Sequence, residues 1–120
     1  MSEHALQIST AQFLRRALPA TAVMFHVPNG EYRDKRTAAK LKAYGVLPGV
    51  PDILVIYDGR LIGLELKAPK GRVSKEQAQV GEAFIANGMV WTVARSLEAV
   101  ETFLRGEGVP LKATVMGGAL

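Results

Sequence analysis

The chain is 120 residues long, 48% hydrophobic and 22% charged, with no cysteine and two histidines. One domain with a real core fits that length. Disulfide frameworks, thiolate zinc sites and histidine-rich metal sites are excluded, so any metal would be a hard cation held by oxygen. The formal net charge is +4. Segment 33–42, "RDKRTAAKLK", carries Arg33, Lys35, Arg36, Lys40 and Lys42 against Asp34. Five minus one equals the whole excess, so the rest of the chain is neutral. Such a patch reads either as a polyanion-binding surface or as a solvated helix face.

No uncharged apolar run reaches the roughly 18 residues of a membrane span. The start, "MSEHALQIST", lacks the basic and apolar regions of a signal peptide. Together these read as an intracellular, cytoplasmic protein.

In chain order, residues 3–18 are predicted helical. Leu6, Thr10, Phe13, Leu14, Ala17 and Leu18 follow helical spacing, and Pro19 ends it. "TAVMFHVP", 21–28, reads as a strand closed by the turn signal Pro28-Asn29-Gly30. Residues 31–44 read as helical or partly irregular and carry the basic patch. Gly45 to Pro51 is a loop. Strands at 52–57 and 60–67 are joined by Asp58-Gly59, the dipeptide a tight type I′ hairpin turn prefers. A second loop, "PKGRV", spans 69–73. A helix at 75–87, a strand at 89–94 and a helix at 97–105 capped by Ser96 follow. Trp91 reads as core, and Glu98 and Glu101 as a solvated helix face. The domain is read as 1–106, with 107–120 a loosely attached tail. This order suggests an α/β or α+β sandwich, a mixed sheet with helices packed on it.

The hairpin carries the chemistry. With a two-residue loop, Tyr57 faces Arg60, and continued pairing puts Asp52 opposite Glu65, their Cβ atoms about 4.5–5.5 Å apart. Lys67 projects from the same face, because side chains alternate along a strand. Opposed carboxylates repel by about 1 kcal/mol at 4 Å in water and more where the dielectric is lower. A divalent cation between them reverses the sign, with the Leu66 carbonyl a possible further ligand. Lys67 would then stabilise charge on an attacked phosphate. The competing reading is a Glu65–Lys67 ion pair at an exposed strand end.

Pro51-Asp52, followed thirteen residues later by Glu65-Leu66-Lys67, resembles the PD-(D/E)xK nuclease superfamily. More narrowly, "HVPNG" (26–30), "KLKAYGVLPGVPDILV" (40–55), "ELKAPKGRVSKEQ" (65–77) and "GMVWTVARSLEAV" (88–100) resemble the virus-type replication-repair nuclease (VRR-NUC) domain over residues 3–104. The resemblance implies a restriction-endonuclease-like α/β core and a Mg²⁺- or Mn²⁺-dependent endodeoxyribonuclease. Its stand-alone form is similar to phage and bacterial members linked to Holliday-junction cleavage as homodimers. The resemblance implies metal ligation by Asp52, Glu65 and the Leu66 carbonyl, with Lys67 as the catalytic lysine. Glu3 is its candidate third acidic ligand, although a carboxylate there also suits a helix N-terminus. It places Gln77 at the active-site edge as a catalytic residue, yet Ser74 to Gln77 also reads as a capping box. His26, Asn29 and Gln7 are minor candidates near the site. Lys70 and Arg72 join Arg33, Lys35, Arg36 and Lys40 as candidate DNA contacts. Alternatives are a nuclease preferring flaps, nicks or single strands, and a non-catalytic DNA-binding module of the same fold.

Overall fold

Ser2 starts the first helix: its hydroxyl accepts from the Ala5 N–H at 3.0 Å, satisfying one of the donors a helix start leaves open. In the computed structural model, which describes residues 1–28 and 34–115, this helix is α1 (Glu3–Ala17). Its inward stripe is Leu6, Thr10, Leu14 and Ala17. The remaining elements are β1 (Val23–Phe25), α2 (Lys35–Ala43), β2 (Ile53–Tyr57), β3 (Arg60–Leu66), α3 (Lys75–Ala86), β4 (Val90–Ala94) and α4 (Leu97–Gly106). The turn at Pro28-Asn29-Gly30, together with Asn29 and Arg33, falls partly or wholly outside the described residues.

The four strands form one mixed sheet in the order β1-β2-β3-β4. Asp58 at φ 50° and Gly59 at φ 73° make the two-residue turn. Pairing then runs from Tyr57↔Arg60 to Ile53↔Leu64, as the dipeptide predicted. β4 lies parallel to β3, which requires a crossover, and α3 supplies it. β1 is shorter than the predicted 21–28, pairing only Val23–Phe25 with β2. Just past it, the His26 side chain takes over from the backbone ladder, contacting the Asp52 carbonyl.

One face of the sheet, with Ile53, Val55, Ile62, Leu64 and Leu66, is buried in a single core with Leu6 and Leu14 of α1 and Val100 and Leu104 of α4. α3 covers the opposite face over β3 and β4. Two glycines allow it to approach. A Cβ at Gly63 would lie 3.0 Å from Phe84 Cε2 of α3, and one at Gly81 would overlap the Trp91 indole. Gly81→Ala is therefore expected to destabilise by about 1–3 kcal/mol, the usual cost of overpacking, which chemical denaturation would measure. An unchanged midpoint would show that the indole moves aside freely.

Residues 107–115 are held more closely than a loosely attached tail. Val109 and Leu111 join the core, and the Lys112 N–H donates to the Ala17 carbonyl at 2.8 Å. Glu101 is likewise not merely solvated. It pairs with Arg105 at 2.9 Å and accepts from the Val115 N–H at 3.1 Å. α2 differs in the opposite sense, since none of its residues is buried. Among the described residues, no helix is long and apolar enough to cross a membrane.

Candidate active site

Asp52 immediately precedes β2 and is fixed at two points. Its Oδ2 accepts from the Leu66 N–H at 2.8 Å, tying it to the end of β3. Its backbone carbonyl contacts His26 Nδ1 at 2.6 Å. A carbonyl can only accept, so Nδ1 must carry the proton there. His26 thus buttresses the backbone at Asp52.

Glu65, across the hairpin from Asp52, is 1% exposed. Its Oε2 accepts from Gln77 Nε2 at 3.0 Å, while its Oε1 is buried with no N–H donor reaching it. Burial is the main cause that pushes the Glu65 carboxyl up to about 9. A hydrogen bond with Asp52 and the charge of that carboxylate add to it, Glu3 adds slightly, and the Lys67 ammonium opposes. Two carboxyl groups so placed share a proton when nothing else neutralises them.

Lys67 is also buried, at 7% exposure. Its Nζ lies 4.0 Å from Glu3 Oε1 on the first turn of α1. Lys67 is therefore not simply the partner of Glu65 at an exposed strand end. Glu3 itself is half exposed and reaches the cluster through Lys67. Among the described residues no three His, Cys, Asp or Glu side chains are grouped to hold a metal ion. Gln7, one turn farther along α1, is half-buried and makes no hydrogen bond to the cluster.

Gln77 forms the predicted cap and also reaches Glu65. Its N–H donates to Ser74 Oγ at 3.1 Å, and its Oε1 accepts from the Ser74 N–H at 2.8 Å, completing the capping box. Because a backbone N–H can only donate, the cap fixes the amide with its oxygen toward Ser74. The NH₂ end must then face Glu65, where the 3.0 Å bond is found. The local cap orients the long-range contact.

The candidate DNA-contacting cations lie on two exposed segments. Lys35, Arg36, Lys40 and Lys42 are exposed on α2, whose N-cap is Asp34, accepting from the Thr37 N–H at 2.7 Å. Lys70 and Arg72 are exposed on the loop after β3. That loop is held by Arg95, whose Nη1 donates to the carbonyls of Ala68, Pro69 and Gly71 at 2.9, 3.3 and 2.7 Å. A Cβ at Gly71 would lie 3.0 Å from Glu3 Oε2, so Arg95 also fixes the surface against which Glu3 rests. Sequence reading missed Arg95, and a lone arginine between a strand and a helix cap carries no signal of carbonyls about 25 residues upstream.

The fit of a divalent cation to these residues can be judged from the donors alone. Two carboxyl groups face one another, one buried oxygen has no N–H donor, and the donors are all oxygen. Hard cations such as Mg²⁺ and Mn²⁺ take one or two carboxylates with water and phosphate oxygens. Asp52 and Glu65 fit such an ion.

No family model matches the chain, and no curated protein matches it. A comparison of folds does find a structural neighbour. A solved structure described as a "VRR_NUC domain protein" superimposes with a TM-score of 0.71 at 20% sequence identity, covering 88% of this chain and 86% of that one. The mixed four-stranded sheet and its flanking helices therefore share the α/β fold of that VRR_NUC domain protein.

Proposed function

We propose that this protein is a divalent-metal-dependent nuclease that hydrolyses DNA phosphodiester bonds, acting on branched DNA as a Holliday-junction resolvase and as a homodimer. The observation that carries the catalytic reading is the buried Glu65 facing Asp52 with one oxygen that no N–H donor reaches. Burial opposes its ionisation, and the Asp52 and Glu3 carboxylates add to that opposition more than the Lys67 ammonium relieves it.

Asp52, Glu65 and the Leu66 carbonyl would hold Mg²⁺ or Mn²⁺, which when bound polarises a phosphoryl oxygen and acidifies a water. The chain's own residues do the rest. Leu66 N–H and His26 fix Asp52, while Gln77 fixes the orientation of Glu65. Lys67 places an ammonium beside the carboxylates to orient the attacking water and offset the charge that builds on the phosphoryl oxygens. Glu3 sets the position of that ammonium and stands as a further ligand candidate through water. Lys70, Arg72 and the cations of α2 supply phosphate contacts.

The branched-DNA and dimer parts rest on the resemblance to junction-cleaving members of the family, since a two-fold pair of sites suits paired incision of a four-way junction. The test uses labelled four-way junction, flap, nicked, duplex and single-stranded DNA with Mg²⁺, Mn²⁺ or EDTA, beside Asp52→Asn. Metal-dependent cutting of the junction ahead of the others is expected. Binding with no metal-dependent cutting would leave only a DNA-binding module, and a preference for flaps would replace the junction reading. Neutralising Lys40 is expected to reduce the slope of log affinity against log salt by about one, measured by fluorescence anisotropy. An unchanged slope would mark α2 as a solvated face.

A further inference from the structure

α2 carries Lys35, Arg36, Lys40 and Lys42, and no residue of it is buried. At its C-terminal end, Tyr44 is 72% exposed and Leu47 is 55% exposed. Lys40 Nζ lies 5.7 Å from the centroid of the Tyr44 ring. Gly45, at φ 102°, turns the chain sharply after Tyr44. The loop is then pinned to α3 at Gly49, where a Cβ would meet the Glu76 carbonyl oxygen at 2.5 Å. Between this loop and α3 runs an open, mostly apolar groove of about 720 Å³, walled by Lys42, Leu47 and Pro48 and by Phe84 and Met89.

Two features of this surface conflict unless something covers it. Four cations favour a polyanion, while the aromatic ring and the groove favour an apolar, flat ligand. A duplex satisfies only the first, because its bases are stacked inside. An unpaired nucleobase satisfies both, since its phosphate meets the lysines and its π-face meets the ring. Pro48 is also only four residues before Asp52, a separation of at most about 14 Å along the chain.

We propose that the exposed Tyr44 ring, which lies in sequence between the groove-lining Lys42 and Leu47, stacks on an unpaired nucleobase of DNA that runs into the groove, placing the single-stranded element of a branch beside the carboxylate cluster. The proposal rests on the DNA-binding reading above. Its ligand class is narrower, a base free of its duplex partner.

A forked duplex whose single-stranded arm carries either thymidines or abasic sites at the same positions provides the test, in EDTA to prevent cutting. Wild type is expected to bind the thymidine arm about tenfold or more tightly than the abasic arm, the usual range for stacking on one aromatic side chain. Tyr44→Ala should abolish that preference, Leu47→Ser should reduce it, and Tyr44→Trp should restore it, all with affinity for uninterrupted duplex unchanged. Equal affinity of wild type for the two arms would overturn the proposal. Equal losses on fork and duplex in Tyr44→Ala would overturn it too, as would conversion of a dimer into a monomer by Leu47→Ser in sedimentation, which would assign the groove to a second copy. Failure of wild type to bind any DNA would instead overturn the reading on which the proposal rests.

Discussion

Glu65→Gln is expected to abolish metal-dependent cleavage while making the metal-free protein more stable than wild type at alkaline pH. The two effects have one cause. The buried carboxyl ionises only near 9, against an ordinary value of 4.5. Between these values the unfolded chain has released the proton and the folded chain still holds it. The unfolded state therefore binds fewer protons, and stability falls as pH rises. This contribution is fully present below about pH 4.5, declines by up to about 1.4 kcal/mol per pH unit, and is lost once pH passes about 9. Glutamine mimics the protonated acid and removes that slope. Urea unfolding in EDTA at pH 5, 7 and 9 would measure it, with the two proteins alike at pH 5 and diverging above. Activity should fall at least about a hundredfold in either Glu65→Gln or Asp52→Asn, since each removes a charge the metal needs. Equal pH slopes in the two proteins would mean that Glu65 ionises normally and that water reaches it.

Gln77→Glu separates two roles that most substitutions would remove together. Glutamate at this helix position completes a capping box as well as glutamine does, so the cap through Ser74 should survive. The amide NH₂ that Gln77 donates to Glu65 at 3.0 Å is lost, however. Cleavage is expected to fall about 10- to 100-fold, as for other groups that orient metal ligands. Stability at pH 6 should stay within about 1 kcal/mol of wild type, because the protonated Glu65 can donate in the reverse direction. Gln77→Ala, in contrast, should lose both the activity and about 1 kcal/mol of stability through the cap. Full activity in Gln77→Glu would reduce Gln77 to a helix cap.

What the sequence revealed depended on how local the controlling contacts were. Asp58-Gly59 dictates a turn through its own backbone preferences, and the turn carried the register of every pair in the hairpin with it. The Ser74–Gln77 cap was legible for the same reason, spanning three residues. The bond from Gln77 to Glu65 was not, because it depends on how α3 crosses the sheet, and that crossing is set by Gly63, Gly81 and the Trp91 ring. The final segment misled because Val109 and Leu111 stand alone among glycine, proline and polar residues. Only the surface formed by α1 and α4 gives them somewhere to go. Glu101 looked solvated because its partners include a backbone N–H fourteen residues later. Glu3 was legible as acidic and near the site, yet its distance from Asp52 and Glu65 is set by the loop that Arg95 ties down.

The central claim is that Asp52 and Glu65 together hold a divalent cation, and thermal unfolding with and without that cation tests it most directly. At pH 8, Mn²⁺ should raise the midpoint of wild type by several degrees, because ligand bound only to the folded state stabilises it, and the cation also replaces the proton held by Glu65. The rise should shrink at pH 5, where that proton competes, and vanish in Asp52→Asn and Glu65→Gln. A midpoint that Mn²⁺ and Mg²⁺ leave unmoved in wild type, or that they raise equally in both variants, would contradict the account.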